Sequence, residues 1–293
     1  MNVTIMAVVL VTGVALAFSG LDVTRKLLAE RVSPLPLMVL LSLGSLPIFL
    51  IWAAREGDWS ASGAYVLPGV ASVLLNIGAN LAFLQAVRVS PLSLTIPYLS
   101  LTPVFATLLS IPILGERPSW VQLAGIVLVV AGAFWLQAPS GERTSLSSVW
   151  KALSQERGSL LMILTALFWS LAAPLDKLAI NASSPLFHAV VLTGGLGVLG
   201  IAIMGIRSEL GELRVERPAY RLVALSIVLT AVGLILNLFA LQIVWVGFVE
   251  TLKRALGATL ALVWGRFLFS ESLTLNKIVA VTLMGAGVGL ILW

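Results

Sequence analysis

Ten apolar runs, each about as long as a bilayer is thick, dominate this sequence. A helix needs about 20 mostly apolar residues to cross the hydrocarbon core of a membrane. The runs predict spans at residues 3–25, 35–54, 64–87, 91–114, 118–137, 159–178, 185–206, 220–242, 245–268 and 274–293. We interpret the first run as a retained span, because no positive charge precedes it as in a signal peptide. The predicted fold is an all-α integral membrane protein with ten transmembrane helices.

Composition supports lipid as the main solvent of this chain. Hydrophobic residues make up 59% of the sequence and charged residues 11%, whereas soluble domains carry about 25% charged residues. The net charge is +5, but the basic residues are scattered between apolar runs and form no nucleic-acid-binding stripe. The sequence contains no cysteine and a single histidine. We therefore expect no metal site, no cofactor and no nucleic-acid partner.

The sequence contains an internal duplication. Residues 15–35 align without gaps on residues 166–186 at an offset of 151, and a block that starts at Asn80 recurs from Asn237 at an offset of 157. Glu116 aligns with Glu271 at an offset of 155. This order predicts a first five-helix repeat over residues 1–138, a connecting loop over 139–158 and a second repeat over 159–293.

The number of spans in each repeat predicts how the halves are related. Five is odd, so the second repeat enters the membrane from the opposite side and the repeats are inverted. Inverted repeats are typical of secondary transporters, whose substrate site lies near the midplane where the halves meet. The distribution of Lys and Arg favours both termini on the outside.

Span nine carries three charges inside an apolar stretch, and such charges usually face a bundle interior or a cavity. Glu250 can reach Lys253 and Arg254 on one helical face. One carboxylate cannot neutralise two cations, so a positive charge is left over. Either an anionic ligand or an acid on another helix, such as Asp22 or Asp176, would compensate it. A purely structural triad is the alternative interpretation.

Span four contains internal prolines, which free backbone carbonyls about one turn back. We expect Pro97 and Pro103 to act in gating, or otherwise only to bend a packed helix. Because this segment aligns with the charged part of span nine, Tyr98 or Ser100 is expected near Lys253 or Arg254 in a cavity between the halves.

Further polar residues recur at equivalent places in the two halves. Lys26 and Lys177 close spans one and six, and Asn80 and Asn237 lie within spans three and eight. We treat all four as candidate substrate-binding residues, with snorkelling to the interface and interhelical hydrogen bonding as the simpler explanations. His188, at the start of span seven, is interpreted as an interfacial residue rather than a proton carrier.

A family resemblance rests on two short segments. Leu114–Ser119 (LGERPS) before a glycine-containing span, with a weaker echo in Phe269–Thr274 (FSESLT), resembles the EamA-type drug/metabolite transporters. The resemblance implies ten helices, inverted repeats, a central cavity and cytoplasmic termini, against the charge count above. The pair Lys253–Arg254 also resembles the pair that holds the substrate phosphate in triose-phosphate translocators.

These features predict a secondary transporter that moves a small polar metabolite, anionic or phosphorylated in the leading interpretation, across a membrane by alternating access. The alternative carrier is a proton-coupled exporter of amino acids or amphipathic compounds, with Glu250 or Asp22 as the coupling group. A membrane-embedded enzyme or accessory subunit acting on lipid-linked substrates is the alternative from another class, but no catalytic constellation supports it. We expect a multi-pass protein of the bacterial inner membrane whose partners are a small-molecule substrate and the bilayer.

Overall fold

A computed structural model describes residues 3–57, 59–90, 96–137, 157–269 and 275–292, apart from the side chains of residues 3, 4, 96, 97, 136, 137, 218, 261–269 and 275–277. In these residues the chain forms ten α-helices. The first repeat contains α1 (Val3–Ala29), α2 (Pro34–Glu56), α3 (Val66–Val89), α4 (Thr102–Leu114) and α5 (Trp120–Gln137). The second contains α6 (Arg157–Asn181), α7 (Pro185–Ile206), α8 (Tyr220–Ile243), α9 (Val246–Phe269) and α10 (Leu275–Leu292).

The helices fall on the predicted apolar runs. Six of them are, within the described residues, long and apolar enough to cross a membrane: α1, α2, α3, α6, α7 and α8. The described parts of α4, α5 and α10 are shorter apolar helices. The all-helical, multi-pass membrane character expected from the sequence is therefore confirmed.

The fourth segment departs from the prediction of one α-helix. A 3₁₀ helix, Ile96–Leu101, precedes α4, and Pro103 occupies the first turn of α4. Proline is tolerated there because the first-turn N–H groups have no partner within the helix. Ser170 on α6 donates a 3.1 Å hydrogen bond to the carbonyl of Thr102, the first residue of α4, so a neighbouring helix contacts the backbone where the two geometries meet.

The helices of the two repeats pack in reciprocal pairs. Helices α2, α4 and α5 pack against their own counterparts, α7, α9 and α10. The contact of α1 with α8 is matched by that of α6 with α3, and the contact of α1 with α9 by that of α6 with α4. Exchanging the two repeats therefore leaves the main packing pattern unchanged, as expected if the halves arose by duplication.

The contact between α5 and α10, here called the glycine seam, shows this reciprocity at single residues. A Cβ atom added at Gly287 would lie 2.6 Å from the carbonyl oxygen of Gly125, and one added at Gly132 would lie 2.9 Å from that of Ala280. The offset of 155 found in the sequence exchanges the two contacts, because it aligns Gly132 with Gly287 and Gly125 with Ala280. Small residues permit such close approach of helix backbones in membranes.

Candidate functional site

A cluster of charged side chains occupies the interior between α1 and α9. Asp22 on α1 is close enough to Arg25, Lys253 and Arg254 for their charges to interact, and Arg254 also interacts with Glu250. Glu250 is buried, whereas the other four side chains are partly exposed. Intramembrane charges that pair with each other mark substrate or ion pathways in membrane proteins. We call these five residues the central cluster.

Lys253 contacts side chains on three helices. Its ammonium forms an ion pair with Glu250, one helical turn earlier on α9. It also donates a 3.5 Å hydrogen bond to the side-chain oxygen of Asn237 on α8 and lies 5.8 Å from the centre of the Phe18 ring. Three helices therefore hold this ammonium group, and the predicted approach of Glu250 to Lys253 is observed.

Arg25 is held similarly on the other side of the cluster. Its guanidinium donates a 3.4 Å hydrogen bond to the side-chain oxygen of Asn80 on α3 and lies 5.7 Å from the centre of the Phe83 ring. The equivalent residues Asn80 and Asn237 thus each accept a hydrogen bond from a cation of the central cluster. Interhelical hydrogen bonding, the simpler explanation for these asparagines, is what the structure shows.

Several polar atoms of the cluster are buried without a hydrogen-bond partner in the described part of the chain. They are Nε of Arg25, Nε of Arg254 and Oε2 of Glu250. Buried polar groups without a partner cost about 1–3 kcal/mol each, more when they are charged. The cluster therefore retains two donors and one acceptor that a polar solute can satisfy.

Charge balance in this region differs from the expectation based on span nine alone. Asp176 on α6 is close enough to Lys253 for their charges to interact. The acids Asp22, Glu250 and Asp176 then equal in number the cations Arg25, Lys253 and Arg254. Of the two compensations considered for the excess positive charge of α9, acids on other helices are present, so no anionic ligand is required for neutrality.

The predicted approach of Tyr98 or Ser100 to Lys253 or Arg254 stays a prediction, because the described contacts of these side chains are with other groups. The ring of Tyr98 packs against Phe134 on α5 at a centroid distance of 6.5 Å. Ser100 is buried and forms no described contact with Lys253 or Arg254. Pro97 lies among the residues whose side chains are not described, so its role in gating stays a prediction, as does that of Pro103.

A second polar site, here called the Glu116 junction, joins the ends of four helices. Gly115 ends α4 in the left-handed conformation (φ 69°), and the next residue, Glu116, lies 2.8 Å from the ammonium of Lys177 at the end of α6. The same carboxylate accepts hydrogen bonds of 3.0 and 3.1 Å from the backbone N–H of Val246, the first residue of α9. Lys177 also donates a 2.7 Å hydrogen bond to the carbonyl of Val244.

The Glu116 junction gives a physical meaning to the LGERPS segment. Glycine adopts the left-handed conformation at little cost, which allows α4 to end abruptly. The carboxylate of Glu116 then caps the N-terminus of α9, where negative charge is stabilised by the helix dipole. Ser119 and Gln122 begin α5 with reciprocal hydrogen bonds of 3.2 and 2.9 Å between side chain and backbone.

Lys26, the sequence equivalent of Lys177, is in a different state. Its side chain is partly exposed and makes no hydrogen bond or ion pair within the described part of the chain. Glu271, the sequence equivalent of Glu116, lies outside the described residues. Snorkelling to the interface, the simple explanation for both lysines, therefore does not describe Lys177, whose partly buried ammonium forms a specific ion pair.

The interpretation of His188 as an interfacial residue is wrong. The side chain is completely buried, with one ring nitrogen 2.9 Å from the hydroxyl of Tyr65 and the other 3.0 Å from Asp176. The α6–α7 connection is short, and the two residues lie a few positions before and after it. Reading this connection as a tight helical hairpin would have brought Asp176 and His188 together.

Arg25 is another member of the site that sequence reasoning missed. Lys26 and Arg31 follow it in the sequence, so the pattern of charges groups Arg25 with the basic residues that flank spans. Its spacing of three residues from Asp22 places both charges on one face of α1. That spacing is the signal that could have assigned Arg25 to the interior.

Comparison with known proteins agrees with this architecture. A crystal structure of a protein with 18% sequence identity superposes with a TM-score of 0.71, covering 98% of this chain and 94% of the other. At this identity the likeness shows a shared fold only. No protein of curated function gives a significant match to the sequence.

The EamA-like transporter family matches twice, over residues 5–137 and 156–293. The chain therefore belongs to the EamA-like transporter family, whose members are membrane transporters of small molecules.

Proposed function

We propose that this protein is a secondary carrier that binds a small polar solute at the central cluster and moves it across the membrane by alternating access. The observation that carries the proposal is the cluster itself: five charged side chains in the interior of apolar helices, with donors and an acceptor that have no partner among the described residues. Charges at this depth are costly, and a protein built only for stability has no need of them.

Alternating access is supported by the contrast between Lys177 and Lys26. In a carrier with two inverted repeats, each state closes the pathway at one end with contacts that are absent at the other. Lys177 is locked into the Glu116 junction, whereas its equivalent Lys26 has no partner in the described residues. The structure would then correspond to a state closed at the Glu116 junction, with ten spans in two inverted five-helix repeats divided near residues 139–158.

An anionic group of the solute would bind the guanidinium of Arg254. A planar guanidinium can hold a carboxylate or phosphate through two parallel hydrogen bonds. Arg254 makes no described hydrogen bond to a protein acceptor, so this capacity is free. Lys253 contributes a point charge, and Asn80 and Asn237 position the cations. Anionic and phosphorylated metabolites are the first class to test, consistent with the Lys253–Arg254 resemblance to triose-phosphate translocators.

A second candidate class follows from the charge balance. With three acids and three cations, these interior groups have no net charge to attract an anion. Oε2 of Glu250, which has no hydrogen-bond partner in the described part of the chain, can accept from a cationic group. A zwitterion can pair with both signs at once. Amino acids, the substrates of the alternative carrier, therefore have a specific observation in their favour.

Uptake into proteoliposomes, with a panel of labelled inorganic phosphate, sugar phosphates and neutral amino acids, tests the proposal and separates the two classes. Arg254→Lys keeps the charge but removes the planar fork, and should reduce uptake of the accepted solute. Lys253→Ala should weaken solute binding by about 1.5–3 kcal/mol, the range for a lost charge-assisted hydrogen bond.

Arg221→Lys, at an exposed position near the start of α8, is the matched control and should leave uptake unchanged. Thermal stability of each variant must be measured in parallel, because loss of a cation from the cluster can also destabilise the fold. Unaltered uptake in a stable Arg254→Lys protein would contradict the role of Arg254 as the anchor.

A further inference from the structure

A buried polar group lies where α3, α6 and α7 meet. The hydroxyl of Tyr65 is 2.9 Å from Nδ1 of His188, and Nε2 of His188 is 3.0 Å from Oδ1 of Asp176. The hydroxyl of Ser72 donates a hydrogen bond to the same carboxylate oxygen. His188 and Ser72 are completely buried, and Tyr65 and Asp176 nearly so. Three helices and the turn before α3 thus enclose one imidazole and one carboxylate.

The hydrogen atoms of this group can be arranged without an unsatisfied ring nitrogen when His188 is neutral. Nε2–H then donates to Asp176, and Nδ1 accepts a hydrogen bond from the hydroxyl of Tyr65. Asp176 accepts from both His188 and Ser72 and carries the negative charge. In this state the group has a net charge of −1, stabilised by two donors.

The same atoms can accept one more proton in place. A proton added to Nδ1 makes both ring nitrogens donors, and the hydroxyl of Tyr65 can turn to accept instead of donate. The imidazolium remains hydrogen-bonded to the ionised Asp176, so the buried cation has its counter-ion. Both contacts to the imidazole survive the change, which is not true of a buried histidine held between two donors.

The carboxylate connects this group to the central cluster. The side chain of Asp176 retains 10% exposure whereas that of His188 has none, so a proton can reach the pair through Asp176. Asn76 donates a 3.2 Å hydrogen bond to the hydroxyl of Ser72, and Asn80 donates one of 2.8 Å to the carbonyl of Asn76. A line of polar contacts along α3 therefore runs from the pair to Asn80, which holds Arg25.

Asp176 is the charged group in direct contact with His188 in the described residues. In the described residues, its titratable contacts are Asp176 on α6 and Tyr65 ahead of α3. Arg55 and Glu56 at the end of α2 are exposed to solvent, and Lys177 on α6 is engaged by Glu116. On α9, Lys253 is the group whose charge interacts with Asp176.

We propose that Asp176 and His188 form a proton-binding site through which the carrier couples solute movement to proton movement. The inference rests on the proposed carrier function. It assigns proton coupling to Asp176 and His188 instead of Glu250 or Asp22, since Glu250 is already paired with Lys253 and Asp22 lies among three cations. Binding of one proton changes the net charge of the pair from −1 to zero. The net charge of the pair together with the other five interior charged groups changes from zero to +1. The protonated state thus favours an anionic group at Arg254, and its loss favours release.

The single histidine of the chain makes the site directly observable. Protein labelled with ¹⁵N-histidine and placed in lipid nanodiscs gives the ring nitrogen signals of His188 alone. The expected result is a neutral ring protonated at Nε2 in alkaline buffer that becomes an imidazolium when the buffer is acidified, the change of charge that histidine can undergo. Asp176→Asn should reduce the proton affinity of His188 by about 10- to 1000-fold, because an opposite charge next to the ring is lost.

Two controls separate proton binding from a structural role. Asp176→Glu keeps the charge and should restore the titration, whereas Ser72→Ala removes a hydrogen bond without changing the charge next to the ring and should move the midpoint much less than Asp176→Asn. Inward proton flow, measured with a pH-sensitive dye in proteoliposomes, should accompany transport of the accepted solute in wild-type protein and stop in Asp176→Asn.

The outcomes distinguish the two proposals. If a panel solute is transported while His188 keeps one protonation state from pH 5 to 8, or while proton flow persists in Asp176→Asn, the proton site is overturned and the carrier stands. If His188 titrates as expected but no panel solute moves and no solute changes its signals, the carrier proposal and the coupling that rests on it fail, although the pair binds protons.

Discussion

The glycine seam keeps the symmetry of the internal duplication, whereas the polar interior of this protein departs from it. At the seam, Gly132 and Gly287 each approach a backbone carbonyl of the other repeat, and equivalent residues make equivalent contacts. In the interior, Arg25 aligns with Asp176, a residue of opposite charge, and Lys253 aligns with the proline-rich segment before α4. Equivalent positions there do different chemistry.

The difference shows that packing of the two repeats and binding of a solute place different requirements on equivalent residues. Close packing of helix backbones depends on shape, and shape can be satisfied identically in both repeats. A small polar solute has no two-fold symmetry, so the groups that bind it must differ between the repeats. Departures from the repeat are therefore the places at which to look for function, and four predictions test this view.

The largest expected effect concerns the two equivalent lysines. Lys177→Met should lower the free energy of unfolding by about 3 kcal/mol, because it leaves the largely buried carboxylate of Glu116, 11% exposed, without its cation. Lys26→Met should cost less than about 1 kcal/mol, because Lys26 is partly exposed and unpaired in the described residues. Chemical denaturation in detergent micelles measures both. Equal losses would mean that the two ends are in the same state.

At the glycine seam, by contrast, equivalent substitutions should have similar effects. Gly132→Ala and Gly287→Ala should each destabilise the protein by about 1–3 kcal/mol, the usual cost of overpacking a tight contact. Gly289→Ala is the matched control on α10, since a Cβ atom there meets nothing within 4 Å. The same denaturation assay applies, and a strong effect at only one of the two seam glycines would remove the argument for symmetry.

Opening of the Glu116 junction should be detectable with a thiol probe, because the wild-type chain contains no cysteine. Thr107 on α4 is buried beside Gly247 on α9, and its hydroxyl has no hydrogen-bond partner among the residues that the structure describes. Glu116→Gln should raise the rate of maleimide labelling of Thr107→Cys about 5- to 30-fold, corresponding to a loss of about 1–2 kcal/mol in the closed state. An unchanged labelling rate would show that the junction only stabilises the fold.

The smallest expected effect concerns the two asparagines. Asn80→Ala and Asn237→Ala each remove one long hydrogen bond to a cation, at 3.4 and 3.5 Å. We expect losses of about 0.5–1.5 kcal/mol for each variant, similar within error. Solute affinity should fall for both if the cations they position bind the solute. A large effect on stability for one asparagine alone would indicate that the two positions differ in function.

The helix boundaries could be read from the sequence because lipid imposes a simple rule. Ten apolar runs predicted ten helices, and the run at residues 185–206 coincides with α7. The exception is the start of span four, where prolines and neighbouring polar groups decided between α and 3₁₀ geometry. The backbone at this junction also bonds a side chain that is distant in sequence, Ser170 of α6.

The sequence by itself determined the class, the duplication, the family and the helix that carries the interior charges, since each depends on local hydrophobicity or on short matching segments. Only the tertiary structure decided which charges meet. It brought Asp22 and Asp176 to the cations of α9, buried His188 between Tyr65 and Asp176, and gave Lys177 a partner in Glu116. An apolar helix can present a given charge to lipid headgroups, to water or to another helix, and hydropathy is the same in each case. The choice is made by packing between helices, which no single span encodes.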